Sequence, residues 1–169
     1  REDLLRRLCA EINSDGSCQA VYFIHDVLVT VDVPELFQNA CTALGGLDLF
    51  VYSAGIQYPN DANNFNGKND SHTFRVNLIG AAAWLNLAAE RFQLAGAGHI
   101  VGIGSVAGVR GRRGMPAYTA SKAGLHTYLE GWRNRLSRYG VTVTTVKPGQ
   151  VETALLKNAD RERSPISVE

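Results

Sequence analysis

The run His99-Ile-Val-Gly-Ile-Gly104 leads directly into Ser105, and a long helical pattern follows from Pro116 to Arg138. Apolar runs of this length that lack alternating polar residues are typical of strands covered on both faces of a sheet. Proline is favoured in the first turn of a helix, so Pro116 marks a helix start. Another apolar run, Val141–Val146, ends at a Pro-Gly pair. Strand, helix and strand in this order predict a right-handed crossover and a parallel sheet.

The same alternation extends toward the N-terminus. Apolar spacing predicts three more helices and two more strands, with the helices over Glu2–Ile12, Pro34 to about Leu44 and Thr73–Ala95 and the strands over Ala20–Ile24 and Leu47–Tyr52. The polar segment Pro59–Ser71 is predicted to be an exposed loop. We therefore expect residues 1–169 to form one α/β domain, with a doubly wound parallel sheet in three α/β/α layers.

Composition narrows the classes of function. A net charge of +1 gives no electrostatic reason to expect a nucleic-acid partner or an anionic membrane surface. Three cysteines, Cys9, Cys18 and Cys41, lack the clustered spacing of a metal site, so no metal is expected. The longest apolar stretch, Leu78–Leu85, is far shorter than the ~20 residues of a membrane span. Free thiols and the absence of an apolar signal core after Arg1 favour a cytoplasmic protein.

Tyr118 and Lys122 are four positions apart near the predicted helix start, so they face the same side one turn apart. A free tyrosine has a pKa of ~10, and a nearby ammonium lowers the pKa by favouring the phenolate. Ser105 follows a strand, at the end of the sheet where open α/β folds bind ligands. Together the three side chains could exchange a proton with a substrate oxygen while polarising a carbonyl group.

The joint spacing is more specific than either part. With six tyrosines in the chain, a Y-x-x-x-K pattern arises by chance with a probability of roughly 0.14, which a serine at the fixed upstream offset lowers to roughly 0.007. The pattern therefore supports a site rather than a coincidence.

Ser105 with Tyr118-Thr-Ala-Ser-Lys122 resembles the catalytic signature of the short-chain dehydrogenase/reductase family. Three other segments and one residue resemble further motifs of that family, namely Asp48-Leu-Phe-Val-Tyr-Ser-Ala-Gly55, Pro148-Gly-Gln-Val-Glu-Thr153, His25-Asp26-Val27 and Asn77. The resemblance implies a Rossmann-like fold and an NAD(P)-dependent oxidoreductase that interconverts an alcohol and a ketone or aldehyde.

The resemblance also implies roles for individual residues. Tyr118 would be the general acid/base, Lys122 would lower its pKa and hold the nicotinamide ribose, Ser105 would polarise the carbonyl, and Asn77 would support the proton relay. The cofactor contacts would come from Asp26, Val27, Ser53, Ala54, Gly55, Tyr118, Lys122, Pro148, Gly149, Val151 and Thr153. A homodimer or homotetramer would form through the two long helices. Arg1 would lie near the position that favours NADP over NAD, so the cofactor would be NADP or NAD, with NADP favoured.

Two departures from the family pattern stand out. Tyr52-Ser53 replaces the usual Asn-Asn pair, and the glycine-rich phosphate turn of the first strand–helix unit is absent. In the strand order 3-2-1-4-5-6, the four predicted strands would be 3, 4, 5 and 6, which leaves a gap of two strands. We therefore expect the first two strands and the C-terminal end to be missing, and the chain to be part of a longer polypeptide.

Several alternatives remain open at this point. The missing phosphate turn also fits a non-catalytic, dehydrogenase-like binding or regulatory module. The basic loop of Arg110, Arg112 and Arg113 is either a solvated surface or a contact for an anionic substrate. Asp26 is either a turn residue or an adenine contact. The four histidines, His25, His72, His99 and His126, are expected to have ordinary surface or packing roles.

Overall fold

The computed structural model describes residues 1–59, 63, 65–151 and 155. Its sheet contains three parallel strands, β1 (Leu49–Tyr52), β2 (Gly98–Ile103) and β3 (Val141–Val146), with β2 in the middle. Leu49 lies opposite His99, and Gly98 lies opposite Val141. Each strand is joined to the next by a helical crossover, which confirms the predicted parallel α/β fold.

The helices are α1 (Glu2–Asn13), α2 (Val33–Ala43), α3 (Gly67–Phe74), α4 (Ala81–Ala95) and α5 (Pro116–Leu136). A π turn, Arg75–Gly80, joins α3 to α4 without a break, and 3-10 turns lie at Thr30–Asp32, Val106–Val109 and Ser137–Tyr139. The predicted boundaries of α1, α2 and α5 agree with these ranges to within a few residues. In the described part of the chain, no helix is both long and apolar enough to cross a membrane.

The core lies between one face of the sheet and the helices α2, α4 and α5. Leu85 and Phe92 of α4, Ile100 of β2 and Leu125 and Leu129 of α5 are completely buried there. Side chains alternate along a strand, so Leu49, Val51 and Val146 point to the opposite face, where 51%, 49% and 39% of each remains exposed. The site therefore rests on a sheet that is anchored mainly through α4 and α5.

Glycines on the core-facing side of β2 allow the helices to approach closely. A Cβ at Gly98 would lie 2.2 Å from the Phe92 ring, and one at Gly102 would lie 2.3 Å from a Leu129 methyl group. Both distances are shorter than any real carbon contact, so a larger residue at either position would push a helix away. Glycine has a low propensity for strands, but at these two positions of β2 it allows α4 and α5 to pack directly against the sheet.

Two sequence predictions need correction. Ala20–Ile24 is not a strand: it has no strand partner among the described residues, and its expected neighbours in the family strand order are not among the 169 residues. Its link to the rest of the chain is α1, because the Asn13 side chain donates to Ala20 O at 3.0 Å and accepts from Ala20 N at 2.6 Å. A ladder needs two strands, so an apolar run alone does not produce one.

The helix predicted over Thr73–Ala95 begins earlier, at Gly67, inside the segment predicted to be a loop. Asn66 caps it by accepting a hydrogen bond from Asn69 N at 3.1 Å. Asparagine is a strong N-cap residue, and the polar first turn hides the helix from an analysis based on apolar spacing. The helix continues through the π turn, which the sequence pattern did not indicate.

Truncation of Leu85 to alanine should lower the free energy of unfolding by about 2–5 kcal/mol, because the side chain is fully buried and leaves a cavity. Leu94→Ala on the same helix is the matched control: its side chain is 81% exposed, so the loss should stay below about 0.5 kcal/mol. Urea denaturation of both variants tests this, and equal losses would contradict the described core.

Candidate active site

The site begins at the carboxyl ends of β2 and β3, which are tied together beyond the sheet. Gly104 N donates to Val146 O at 2.7 Å, and Val106 N donates to Pro148 O at 3.0 Å. Ser105 lies between these two bonds, and only 9% of it is exposed. Its hydroxyl oxygen accepts from Ala107 N at 3.1 Å and so caps the 3-10 turn Val106–Val109. The oxygen is therefore fixed, and its proton stays available for another acceptor.

Tyr118 lies in the first turn of α5, directly beside Ser105. The helix begins at Pro116, and Thr119 closes its first turn by donating to Met115 O at 3.0 Å. Burial raises the pKa of Tyr118, and a hydrogen bond with the Ser105 side chain lowers it by a smaller amount. The net shift is upward, which differs from the lowering expected from Lys122, because loss of hydration disfavours the phenolate.

Lys122 follows one turn later on the same face of α5 and is 4% exposed. Its ammonium group donates to Ile103 O, the last carbonyl of β2, at 3.0 Å. Burial lowers the pKa of Lys122 to about 8. An ammonium has three donors, and this bond occupies one of them, so the group can still bind hydroxyl oxygens at the end of the sheet.

Asn77 lies in the π turn and is fully buried. Its side chain accepts from Ile56 N at 2.8 Å and donates to Ile56 O at 2.9 Å and to Ser121 Oγ at 3.0 Å. Ser121 in turn donates to Tyr118 O at 2.8 Å. Asn77 therefore joins the segment after β1 to the first turns of α5. Single π turns are frequent at functional sites, where they aim one side chain away from the regular helix face.

Tyr52 occupies one of the two positions where the family pattern has asparagine. It is buried, its hydroxyl donates to Val76 O at 3.4 Å, and burial raises its pKa to about 12. The phenol thus connects the end of β1 to the same π turn that carries Asn77. The Tyr52 phenol thus provides a polar contact between β1 and the π turn at a position where the family pattern has an asparagine amide.

The residues expected at the cofactor lie at the carboxyl ends of β1 and β3 and in the turn at Asp26. Ser53 and Gly55 are exposed just beyond β1, and a Cβ at Gly55 would lie 3.3 Å from Lys122 Nζ. Ala54 lies between them, and Gly149 and Val151 follow Pro148 after β3. Thr153, the remaining predicted contact, lies outside the described residues.

Asp26 forms a turn through its own side chain. The carboxylate accepts from Leu28 N at 3.0 Å, and Asp26 O accepts from Val29 N at 2.9 Å. Val27 lies against the π turn, since a Cβ at Gly80 would come within 3.0 Å of Val27 O. Asp26 is therefore a turn residue, as one of the two alternatives predicted. A contact between this exposed turn and adenine stays a prediction.

The structure brings Asn77, Ser105, Tyr118, Lys122 and Gly55 together at the carboxyl end of the sheet.

Ser121 and His126 also belong to this cluster, but the sequence pattern did not single them out. Ser121 is three residues after Tyr118 and lies on the same buried face of α5. Its i, i+3 spacing from Tyr118 could have predicted this position. His126 accepts from Ser105 N at 3.3 Å. Among the described residues, no three His, Cys, Asp or Glu side chains lie close enough to bind a metal.

A family model described as short chain dehydrogenase matches residues 1–164. The chain belongs to the short-chain dehydrogenase family. It is 40% identical over 111 residues to a protein of Myxococcus xanthus named "Uncharacterized oxidoreductase", which covers 66% of this chain and 44% of the relative. A Staphylococcus aureus protein with a similar name is 30% identical over 130 residues, 77% of this chain and 56% of the relative. The chain thus spans about half the length of these relatives.

Solved structures of dehydrogenases share the fold. NAD+-bound xylitol dehydrogenase superposes with a TM-score of 0.85 and 21% identity over 95% of this chain and 65% of that one. A gluconate 5-dehydrogenase from Burkholderia cenocepacia, in complex with NADP and tartrate, has a TM-score of 0.82 and 26% identity over 93% of this chain and 61% of that one. These similarities confirm the Rossmann-like fold of the short-chain dehydrogenase family.

Replacing Asn77 with leucine should cost roughly 2–4 kcal/mol of stability, because the part-buried N–H and C=O of Ile56 both lose the partner that this fully buried side chain provides. Asn86→Leu is the control: Asn86 is exposed on α4 and bonds Ala82 O and the Tyr128 hydroxyl, so its loss should stay below about 1 kcal/mol. Chemical denaturation of both variants measures the difference, and a tolerated Asn77→Leu would show that Asn77 does not anchor this segment.

Proposed function

We propose that the protein containing this chain is an NAD(P)-dependent oxidoreductase that interconverts an alcohol and a ketone or aldehyde. The observation that carries the proposal is the buried cluster of Ser105, Tyr118 and Lys122 at the carboxyl end of β2. A phenol, a hydroxyl and an ammonium on one edge of a parallel sheet offer donors to a carbonyl oxygen, with one group able to transfer a proton.

The described residues fit the nicotinamide end of a dinucleotide. Lys122 has two donors left after its bond to Ile103 O, and the absence of a side chain at Gly55 lets the backbone after β1 approach Lys122 Nζ closely. The proposed contacts lie along the same edge or in the turn at residue 26, namely Asp26, Val27, Ser53, Ala54, Gly55, Tyr118, Lys122, Pro148, Gly149 and Val151, with Thr153 added from the sequence motif. When bound, the cofactor supplies or accepts the hydride.

In the reductive direction the Tyr118 hydroxyl gives its proton to the substrate oxygen. Ala107 N holds the Ser105 hydroxyl oxygen in place, so the single hydroxyl proton can turn from Tyr118 to the substrate oxygen when a substrate binds. The Lys122 ammonium, one turn away, stabilises the phenolate that Tyr118 becomes. In the oxidative direction the phenolate takes the proton back, so the same three groups serve both reactions.

The finer parts of the proposal rest on separate observations. We favour NADP over NAD because, by the family pattern, Arg1 would fall just after the second strand, where arginines commonly occur. We propose a homodimer or homotetramer through α4 and α5, whose alanine-rich stretches permit close helix packing. Three unpaired cysteines, Cys9, Cys18 and Cys41, are consistent with a cytoplasmic protein.

Tyr118→Phe in the full-length protein should lower kcat by about 10²–10⁴-fold or more, because the proton donor is lost while the ring stays. Tyr139→Phe just beyond the end of α5 is the control and should keep full activity, since its hydroxyl accepts from the exposed Arg138 side chain, far from Ser105. A panel of carbonyl substrates with both cofactors measures turnover, and unchanged denaturation curves exclude misfolding.

Normal turnover in Tyr118→Phe would overturn the acid/base role. A folded wild-type protein that binds neither cofactor and reduces no carbonyl would instead favour a non-catalytic binding module.

Ser105→Ala should move the pH profile of alcohol oxidation toward higher pH. The Ser105 hydrogen bond lowers the pKa of Tyr118, so removing it raises that pKa, and the basic phenolate forms only at higher pH. Initial rates of oxidation measured from neutral to alkaline pH test the shift. Ser137→Ala, distant from the site at the end of α5, should leave the profile unchanged, and an unshifted profile in Ser105→Ala would contradict the coupling.

A further inference from the structure

His126 lies one turn after Lys122 on α5, and its ring fills the space beneath Ser105. Its Nε2 accepts from Ser105 N at 3.3 Å. A Cβ at Gly104 would lie 2.2 Å from Nε2, and a Cβ at Gly108 would lie 2.7 Å from Cε1. The glycines before and after Ser105 thus both face the imidazole. This histidine therefore supports the Ser105 segment, which is a specific form of the packing role expected for it.

We propose that neutral His126 is a positioning residue that holds the Ser105 segment against α5, and that its protonation releases the segment and switches the enzyme off at acid pH. The proposal rests on the proposed function, because it assigns the group that keeps Ser105 aligned with Tyr118. It does not make His126 a catalytic residue, since the ring touches the backbone of Ser105 and not a reacting atom.

The hydrogen bond fixes the chemical form of the ring. Nε2 can accept from Ser105 N only when it carries no proton, so the neutral ring must have its proton on Nδ1. An imidazolium would present an N–H to another N–H at the same place. The attraction would become a repulsion, and the narrow space between Gly104 and Gly108 leaves the ring little room to turn away.

The surroundings favour the neutral form. Lys122 on α5 and Lys147 after β3 are the charged groups that act on the ring, and the segment 104–109 contributes no charged side chain. Burial lowers the pKa of His126, and the two cations lower it further. The unfolded chain takes up a proton near pH 6.5 and the folded chain only at lower pH, so stability falls as the pH drops below about 6.5.

The protonation state can be measured without any assay of activity. Long-range proton–nitrogen NMR of the full-length protein at pH 7.5 should show His126 with an unprotonated Nε2 and a protonated Nδ1. Lowering the pH should broaden or shift the Ser105 amide signal together with the ring signals. A proton on Nε2 at pH 7.5 would overturn the proposal even if the enzyme is active. So would a Ser105 amide signal that does not change while the His126 ring takes up a proton.

Kinetics separate positioning from simple packing. His126→Leu removes the acceptor at every pH, so kcat at pH 7.5 should fall roughly three- to tenfold, as expected for one hydrogen bond, and the acid decline should disappear. His126→Gln offers an amide oxygen that does not titrate, so it should keep most of the wild-type kcat and also lose the acid decline. His99→Gln, whose ring bonds Thr144 at the opposite end of β2, is the control and should keep the wild-type profile.

An acid decline that survives unchanged in His126→Gln would refute the switch. If the wild-type protein shows no turnover at all, the proposed function fails, while the NMR experiment still decides the role of His126.

A double substitution tests the packing itself. Gly104→Ala should be strongly destabilising, because its methyl group would overlap Nε2 of His126. Gly104→Ala combined with His126→Ala should recover much of that loss, since the ring is gone. Urea denaturation of the two single variants and the double variant gives the coupling, and simple additivity would show that the ring does not occupy this space.

Discussion

The close approach of α5 to the carboxyl half of β2 is the constraint on which the site depends. It is possible because alternate core-facing positions of the strand lack side chains, so Leu129 fits over Gly102 and the His126 ring lies against Gly104. At this separation the Lys122 ammonium can reach the last carbonyl of the strand at 3.0 Å. A wider gap would leave the lysine away from the strand end and Tyr118 away from Ser105. The distances between the side chains of the candidate site are therefore set by the packing of the strand.

Burial acts in opposite directions on the two ionisable groups of the site. It raises the pKa of Tyr118 and lowers that of Lys122 to about 8. Both shifts favour the uncharged form of the group, the phenol of Tyr118 and the amine of Lys122, although a pKa of about 8 still leaves Lys122 mostly protonated at pH 7. The Ser105 hydrogen bond then opposes the effect on Tyr118 alone. The pKa of Lys122 therefore lies closer to neutral pH than that of a free lysine, whereas the pKa of Tyr118 lies further from neutral pH than that of a free tyrosine.

The parallel strands, the long helix α5 and the serine, tyrosine and lysine set could be predicted from sequence, because apolar spacing and a fixed offset record them directly. The role of His126 could not, since it depends on two glycines that lie eighteen or more positions away in the chain. The strand expected over Ala20–Ile24 failed for a related reason: pairing is a property of two segments. The start of α3 at Gly67 was hidden because its cap, Asn66, belongs to a polar stretch that resembles a loop.

The π turn between α3 and α4 also determines how the side chains of α3 are rotated about the helix axis relative to those of α4. One residue advances an α-helix by about 100°, so a wide turn rotates the α3 side chains relative to those of α4. Thr73 is buried before this turn and Ala81 after it, and the width of the turn sets the angle between these two buried positions. Shortening the turn by one residue would swing α3 around its axis and carry the end of the loop after β1 with it. The helix therefore tolerates substitutions more readily than changes in length.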